Sequence, residues 1–250
     1  MKSAGQYGFP SATCFYTEHD LFVRKTVEEL LQLRIISGLK SLNPAIQAIR
    51  VETPTLLTAD AVKEHRAIGF DLCDMQAHDQ LLTLRPETTW GTLKAFEVLY
   101  PEASVRKKRM PIVIWQSGKV YRNEQIRPHK EIRFREFYQI EFQLIVSDTS
   151  KADYFGTLES EAEFAIRDLC GSAYREIVPL DQLAHYSRRT SDMMVPIQQD
   201  PETKLKIKPN AIEVGAISER TDLKDQGIIV YEASFGLDRL TALSKLNQNI

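Results

Sequence analysis

Three stretches of the chain gather arginines, carboxylates and one aromatic ring on what read as short strands. They are RNEQIRPHKEIRFREF at 122–137, AIEVGAISER at 211–220 and YEASFGLDR at 231–239. Guanidinium groups bind phosphoryl oxygens in bidentate, charge-assisted pairs. A ring such as Phe137 gives a base a surface to stack on. None of the three stretches is a glycine-rich phosphate loop. Together they suit a pocket that holds a polyphosphate with arginines and an ammonium with acids, the pairing needed to join an amino acid's carboxylate to a nucleotide phosphate.

On an extended strand over 131–147, Arg133, Arg135, Phe137, Gln139, Glu141 and Gln143 share one face. A solvated sheet face laced with cross-strand ion pairs would carry the same pattern. Arg122 and Glu124, just before the turn, add a further arginine and a further carboxylate to that face. Glu232 and Ser234 are two apart and point the same way on a strand, with Gly236 and Arg239 at the strand-to-helix junction. A strand end with a surface arginine is the plainer alternative there. Glu232 within IIVYEASF and Glu213 within AIEVGAI each place a carboxylate in an apolar strand, which calls for a partner or a ligand. Arg85 and Glu87 make a third polar pair after LLTL. His19, His65, His129 and His185 show no metal-ligand spacing, and Cys14, Cys73 and Cys170 form neither a zinc pattern nor a disulfide framework.

The elements that must position these groups follow from periodicity. Apolar residues Leu21, Phe22, Val27, Leu30, Leu31 and Ile35 predict a helix over 18–39, capped by Thr17 with Asp20 and ended by Gly38. Residues 48–57 predict a strand and turn. Residues 81–86, 110–124 and 131–147 predict strands, the last two an antiparallel hairpin. A helix over 158–174, strands at 208–218 and 227–236, and a closing helix from Leu237 complete the order. There is no regular strand–helix alternation, so the expectation is an α+β fold. It would be a single domain over 1–250, on a mainly antiparallel sheet with helices on one side.

With 43% hydrophobic and 26% charged residues the chain is an ordinary globular one. A net charge of −2 excludes a general basic field for nucleic acid and argues against DNA as partner. Local basic groups remain at 106–109 and at 127–133. No stretch of about 18 apolar residues offers a membrane span, and no secretion signal opens the chain, so a cytoplasmic, reduced setting is expected.

At this point the residues resemble a known family. LRPETTWG (84–91) resembles the LRPET-x-x-G run of class II aminoacyl-tRNA synthetases, specifically glycyl-tRNA synthetases of the single-type-subunit kind. QSGKVYRNE (116–124) with REF (135–137) resembles the second signature motif, and EASFGLDR (232–239) the third. IGFDLCD (68–74), AHYSRRTSD (184–192) and AIEVGAISERTD (211–222) are similar to further runs of that family, in the same order. The resemblance implies a class II catalytic fold, with ATP and Mg²⁺ used to make glycyl-adenylate and pass glycine to the 3' end of a tRNA.

It also implies roles for individual residues. Arg122 would hold the α-phosphate and Glu124 the adenine side, with Arg135 beside them. Phe137 would stack on adenine, and Arg239 would close the other face near the γ-phosphate. Glu87, Glu141, Glu232 and Ser234 would surround the glycine ammonium. Arg220 would face ATP phosphate or the glycine carboxylate, and Glu213 would help position Mg²⁺.

The chain departs from the family pattern at QIRPHKE (125–131), Gln143, Ala216 and Ala233, and lacks the long insertion after GF-x-D. It is expected to lack the anticodon-binding domain, so a tRNA would be met through its acceptor arm. A carrier protein as acceptor, or a catalytically silent accessory subunit, are the alternatives. The 18–39 helix and 48–57 strand occupy the place of the family's first motif, which implies a homodimer.

Overall fold

The computed structural model describes residues 1–3, 12–63, 71–123, 133–196 and 211–248. In chain order the strands are β1 (Lys2–Ser3), β2 (Cys14–Phe15), β3 (Gln47–Arg50), β4 (Leu56–Thr58), β5 (Cys73–Ala77), β6 (Gln80–Leu84), β7 (Ile112–Tyr121), β8 (Glu136–Ser147), β9 (Tyr174–Ile177), β10 (Ser187–Pro196), β11 (Ala211–Arg220) and β12 (Ile228–Gly236). The helices are α1 (Glu18–Leu42), α2 (Thr89–Leu99), α3 (Ala103–Arg109), α4 (Tyr154–Cys170), α5 (Leu237–Leu243) and α6 (Lys245–Gln248).

A seven-stranded sheet in the order β3-β7-β8-β12-β11-β10-β9 forms the frame. Every pairing in it is antiparallel except β3 with β7. This is the α+β, mainly antiparallel architecture expected. A small three-stranded sheet, β4-β6-β5, stands beside it. The 48–57 stretch is therefore two strands in two sheets, broken around Pro54, whose nitrogen has no hydrogen to give to a ladder.

Alternation on β8 gives the sheet its two faces. Ile140, Phe142, Leu144 and Val146 pack against α1 and α4 in the main core. Gln139, Glu141, Gln143 and Ile145 turn to the other side. There a second, smaller core joins Phe96 of α2 to Ile112, Ile114, Ile145, Ile228 and Val230. So helices do not lie on one side alone: α2 crosses to the opposite face and delivers its first turn to the polar residues of β8.

α1 begins at the expected capping box, Thr17 Oγ1 accepting from the Asp20 amide at 3.2 Å and Asp20 Oδ2 from the Thr17 amide at 2.8 Å. Its buried stripe is Val23, Val27, Leu31, Ile35 and Leu39, a strict four-residue spacing. Leu21 and Phe22, expected in that stripe, are exposed. Gly38 does not end the helix; it lies inside α1 against Glu161, and Asn43 closes it. α4 starts four residues earlier than expected, because Asp153 accepts from the Gly156 amide at 3.0 Å, and it stops at Gly171, whose φ of 89° suits only glycine. Among the described residues no helix is long and apolar enough to cross a membrane.

Candidate active site

The polar face of β8 and its neighbours carries two groups of side chains. One centres on a pair of buried carboxylates. Glu141 is 1% exposed, and its Oε2 lies 2.7 Å from Thr88 Oγ1 and 2.9 Å from Thr89 Oγ1, while Gln139 Nε2 donates to Oε1 at 2.7 Å. Glu232, on the adjacent β12, accepts from Gln143 Nε2 at 2.8 Å and from Arg220 Nη1 at 3.1 Å. Thr89 Oγ1 is 3.2 Å from Glu232 and so bridges the two acids. Arg220, almost fully buried, also grips Asp222 through Nη2 at 2.9 Å and lies over the Tyr186 ring at 4.0 Å.

The hydroxyls of Thr88 and Thr89 are placed by an anchored helix start. Gln116, fully buried on β7, donates to the Thr88 carbonyl at 3.1 Å and to Thr92 Oγ1 at 2.6 Å, and accepts from Thr53 Oγ1 at 3.0 Å. Arg85 lies beneath, donating to the Lys119 carbonyl and the Thr53 carbonyl, each at 2.9 Å. Its guanidinium occupies the space where a side chain at Gly118 would stand, so the glycine of QSGKV is required by close approach. Arg85 thus holds structure and is not a ligand group.

A single hydroxyl hydrogen cannot serve both acids. The geometry is satisfied when Glu141 carries the proton, donates it to Thr89 Oγ1, and Thr89 donates onward to Glu232. Burial, then the neighbouring Glu232 and Glu87 charges, push Glu141 up to about 8, against the lowering effect of the Thr88 hydroxyl. The unfolded chain releases this proton near its ordinary value of 4.5, well before the folded one does. Stability from Glu141 is therefore full below that value and is lost as pH rises toward 8. Urea unfolding at pH 5 and pH 8 should show the parent losing at least about 1 kcal/mol more than Glu141→Gln. Equal losses in the two proteins would refute a neutral Glu141.

The second group lies four residues back along β8. The Arg122 guanidinium sits 5.4 Å from the Phe137 ring centre, and its Nε donates to the Pro86 carbonyl at 3.0 Å. Arg135 Nη1 donates to Asn123 Oδ1 at 2.9 Å, which ties the two strand ends together. Arg239, at the start of α5, reaches the Glu213 carbonyl at 2.9 Å. Glu213 itself is exposed. A register shift between β10 and β11 at Met193 and Met194 lets Val214 and Ile217 both enter the core. Glu213 is thereby left on the same side as Ala216 and Arg220.

Mg²⁺ is commonly held by one or two carboxylates completed by phosphate oxygens. Glu213 fits that donor chemistry, as does Asp192, pushed up to about 7 by burial and by the Glu213 and Glu176 charges. Among the described residues no group of three or more ligating side chains would hold a metal unaided.

The structure thus gathers Glu141, Glu232 and Arg220 at one end, with Glu87 on the wall of the adjoining cavity and Ser234 opposite Glu141 in the sheet register. It gathers Arg122, Arg135 and Phe137 at the other. Glu124 lies outside the described residues. Sequence reasoning missed Thr88, Thr89, Tyr186, Gln116 and Asp222. The hydroxyl pair before an amphipathic helix was the available signal for the threonines, while Gln116 is found only by its long-range partners. Arg188 and Arg189 of the 184–192 run belong to neither group; both pair with buried Glu219, at 3.2 and 2.6 Å.

Comparison with known proteins bears on the family and the fold. The family model described as the tRNA synthetase class II core domain (G, H, P, S and T) matches residues 72–243. A glycine–tRNA ligase of Mesoplasma florum is 36% identical over 114 residues, covering 44% of this chain and 25% of that protein. One from Deinococcus radiodurans is 36% identical over 115 residues, covering 44% and 22%. The chain therefore spans about a quarter of the length of the curated relatives it matches. Among solved structures, prolyl-tRNA synthetase from Cryptosporidium parvum, complexed with halofuginone and AMPPNP, superposes with a TM-score of 0.70 at 11% identity, over 94% of this chain and 48% of that one. That likeness is one of fold.

Proposed function

The chain belongs to the class II tRNA synthetase core family, and from that premise we propose that it activates glycine with ATP to glycyl-adenylate and passes the glycyl group to the 3' end of a tRNA. The observation that supports this most is the shared strand face: an arginine beside a phenyl ring at one end, and a buried, hydroxyl-bridged pair of acids at the other. A nucleotide and an ammonium are the ligands such ends attract.

In this reading ATP lies with its base on Phe137 and its α-phosphate at Arg122, with Arg135 steadying the strand ends and Glu124 on the adenine side. Arg239 faces the outer phosphates. The glycine ammonium sits toward Glu87, Glu141, Glu232 and Ser234, and Arg220 faces its carboxylate or a phosphate oxygen. A carboxylate oxygen then attacks the α-phosphorus and pyrophosphate leaves. The gain comes from holding the two reactants in line and from fixed guanidinium charge meeting charge on the phosphoryl oxygens. Mg²⁺, with Glu213 among its ligands, would neutralise charge on the phosphates. No side chain need act as nucleophile. The protein would work as a cytoplasmic homodimer paired through α1 and β3, its catalytic core meeting the acceptor arm of the tRNA.

Glycine-dependent ATP–pyrophosphate exchange tests the adenylation step directly. Exchange with glycine, weak exchange with alanine and none with glycolate are expected, because glycolate has no ammonium to meet the acids. A protein without exchange is the silent accessory subunit. One that exchanges but charges an added carrier protein in place of tRNA refutes the tRNA half of the reading.

A further inference from the structure

Next to the carboxylate pair lies a cavity of about 270 Å³, the room of roughly nine liquid waters. Leu93, Phe96, Ile145 and Ile228 form an apolar floor, and charged side chains including Glu87 and Asp222 complete the lining. Glu141 and Glu232 do not line it. Thr89 and Arg220 do, and of the described lining residues these two also hydrogen-bond the pair, Thr89 to both acids and Arg220 to Glu232. They stand between the Glu141–Glu232 pair and an existing pocket, which Glu87 lines as well. Thr89 stands at a position that the LRPET-x-x-G run leaves open, so nothing in that motif requires a threonine there.

We propose that Thr89, backed by Arg220, is a specificity-determining partition: the site rejects side chains because a wall shuts them out of a pocket that is already formed, and not for want of space. This rests on the amino-acid reading above. The apolar floor defines what would enter once the wall is lowered, an unbranched aliphatic α-amino acid whose ammonium stays with Glu232 and whose chain runs toward Leu93 and Ile228.

Removing Thr89 takes from Glu141 the acceptor of its proton but leaves each acid two further partners. Glu141 keeps Thr88 and Gln139, and Glu232 keeps Gln143 and Arg220. The probes are glycine and L-norvaline, measured by pyrophosphate exchange and by calorimetric binding to the parent, Thr89→Ala, Thr89→Ser and Thr89→Ala with Leu93→Trp. One methylene in an apolar pocket is worth about 10–200-fold in discrimination. Thr89→Ala should therefore raise norvaline relative to glycine at least tenfold, and Thr89→Ser, which loses only the methyl, by less. Filling the cavity with Leu93→Trp should cancel the gain, while Leu93→Trp alone leaves glycine exchange as it was. Glycine use without any norvaline gain in Thr89→Ala or Thr89→Ser overturns the partition, as does a gain that survives Leu93→Trp. If the parent neither binds nor exchanges glycine, the amino-acid reading fails and the partition falls with it.

Discussion

Arg122→Ala loses a hundredfold or more of its glycine-dependent pyrophosphate exchange while melting within roughly 4 °C of the parent. Arg122 follows β7 directly, its amide donating to the Arg135 carbonyl at 2.8 Å, so its position is set by backbone pairing that alanine keeps. The side chain's hydrogen bond to the Pro86 carbonyl is half-buried and worth about 1 kcal/mol, or a few degrees in a chain of this size. Loss of fixed charge aimed at a transition-state oxygen costs about 3–4 kcal/mol. Activity and stability should therefore separate. Arg122→Lys keeps the charge and loses the planar fork, so it should fall between the two. Ordinary exchange in a folded Arg122→Ala protein would remove Arg122 from the site.

Gly215→Ala is expected to be the most damaging small change to the fold, at about 3 kcal/mol, or roughly 6–12 °C in melting temperature. Gly215 pairs with Phe235 across β11 and β12. A methyl group there would run into the ring of Phe235, which is fully buried, and into the carbonyl oxygen of Ser234, which belongs to the ladder backbone. Neither can give way without disturbing the strand that carries Glu232 and Ser234. Gly236 is the contrast. Its φ is −77°, and an added methyl would meet Arg239 at an ordinary 3.7 Å, so Gly236→Ala should melt within about 2 °C of the parent. Both glycines lie in motif-like runs, and thermal unfolding of the two variants would separate the one required by sterics from the one that is not. Similar melting temperatures for the two would refute the steric argument.

Alternation made β8 readable because its two faces meet opposite environments, a dry core and a polar cleft, and every second residue reports which. The start of α1 was readable from its cap, yet its end was set too early at Gly38 and its face was misjudged at Leu21 and Phe22. Apolar identity marks what avoids water, and Leu21, Phe22 and Leu33 remain exposed in a single chain. The carboxylates stood out because charge in an apolar strand is costly. Thr88, Thr89 and Gln116 did not, since neutral hydroxyls and amides are common everywhere and gain meaning only through partners 24 to 143 residues away. Arg85 was noticed as a polar pair with Glu87, but whether a guanidinium faces a ligand or a carbonyl is decided by tertiary contacts. The parallel pairing of β3 with β7 and the separate three-stranded sheet are likewise long-range facts with no local signature.

The polar face of β8 also acts as a measuring rod. Phe137 and Glu141 are two pleats apart, which sets them about 13 Å from each other along the backbone. β7 pairs with the strand across that whole interval, and β12 pairs from Gln139 onward. The span between a base lying on the ring and an ammonium beside the acid is thus graduated in covalent units, unaffected by what happens to segments beyond the strand ends. Changes in those segments alter how a ligand arrives. One residue inserted between 137 and 141 would instead turn half the scale to the opposite face, and no adjustment of side chains could restore its length.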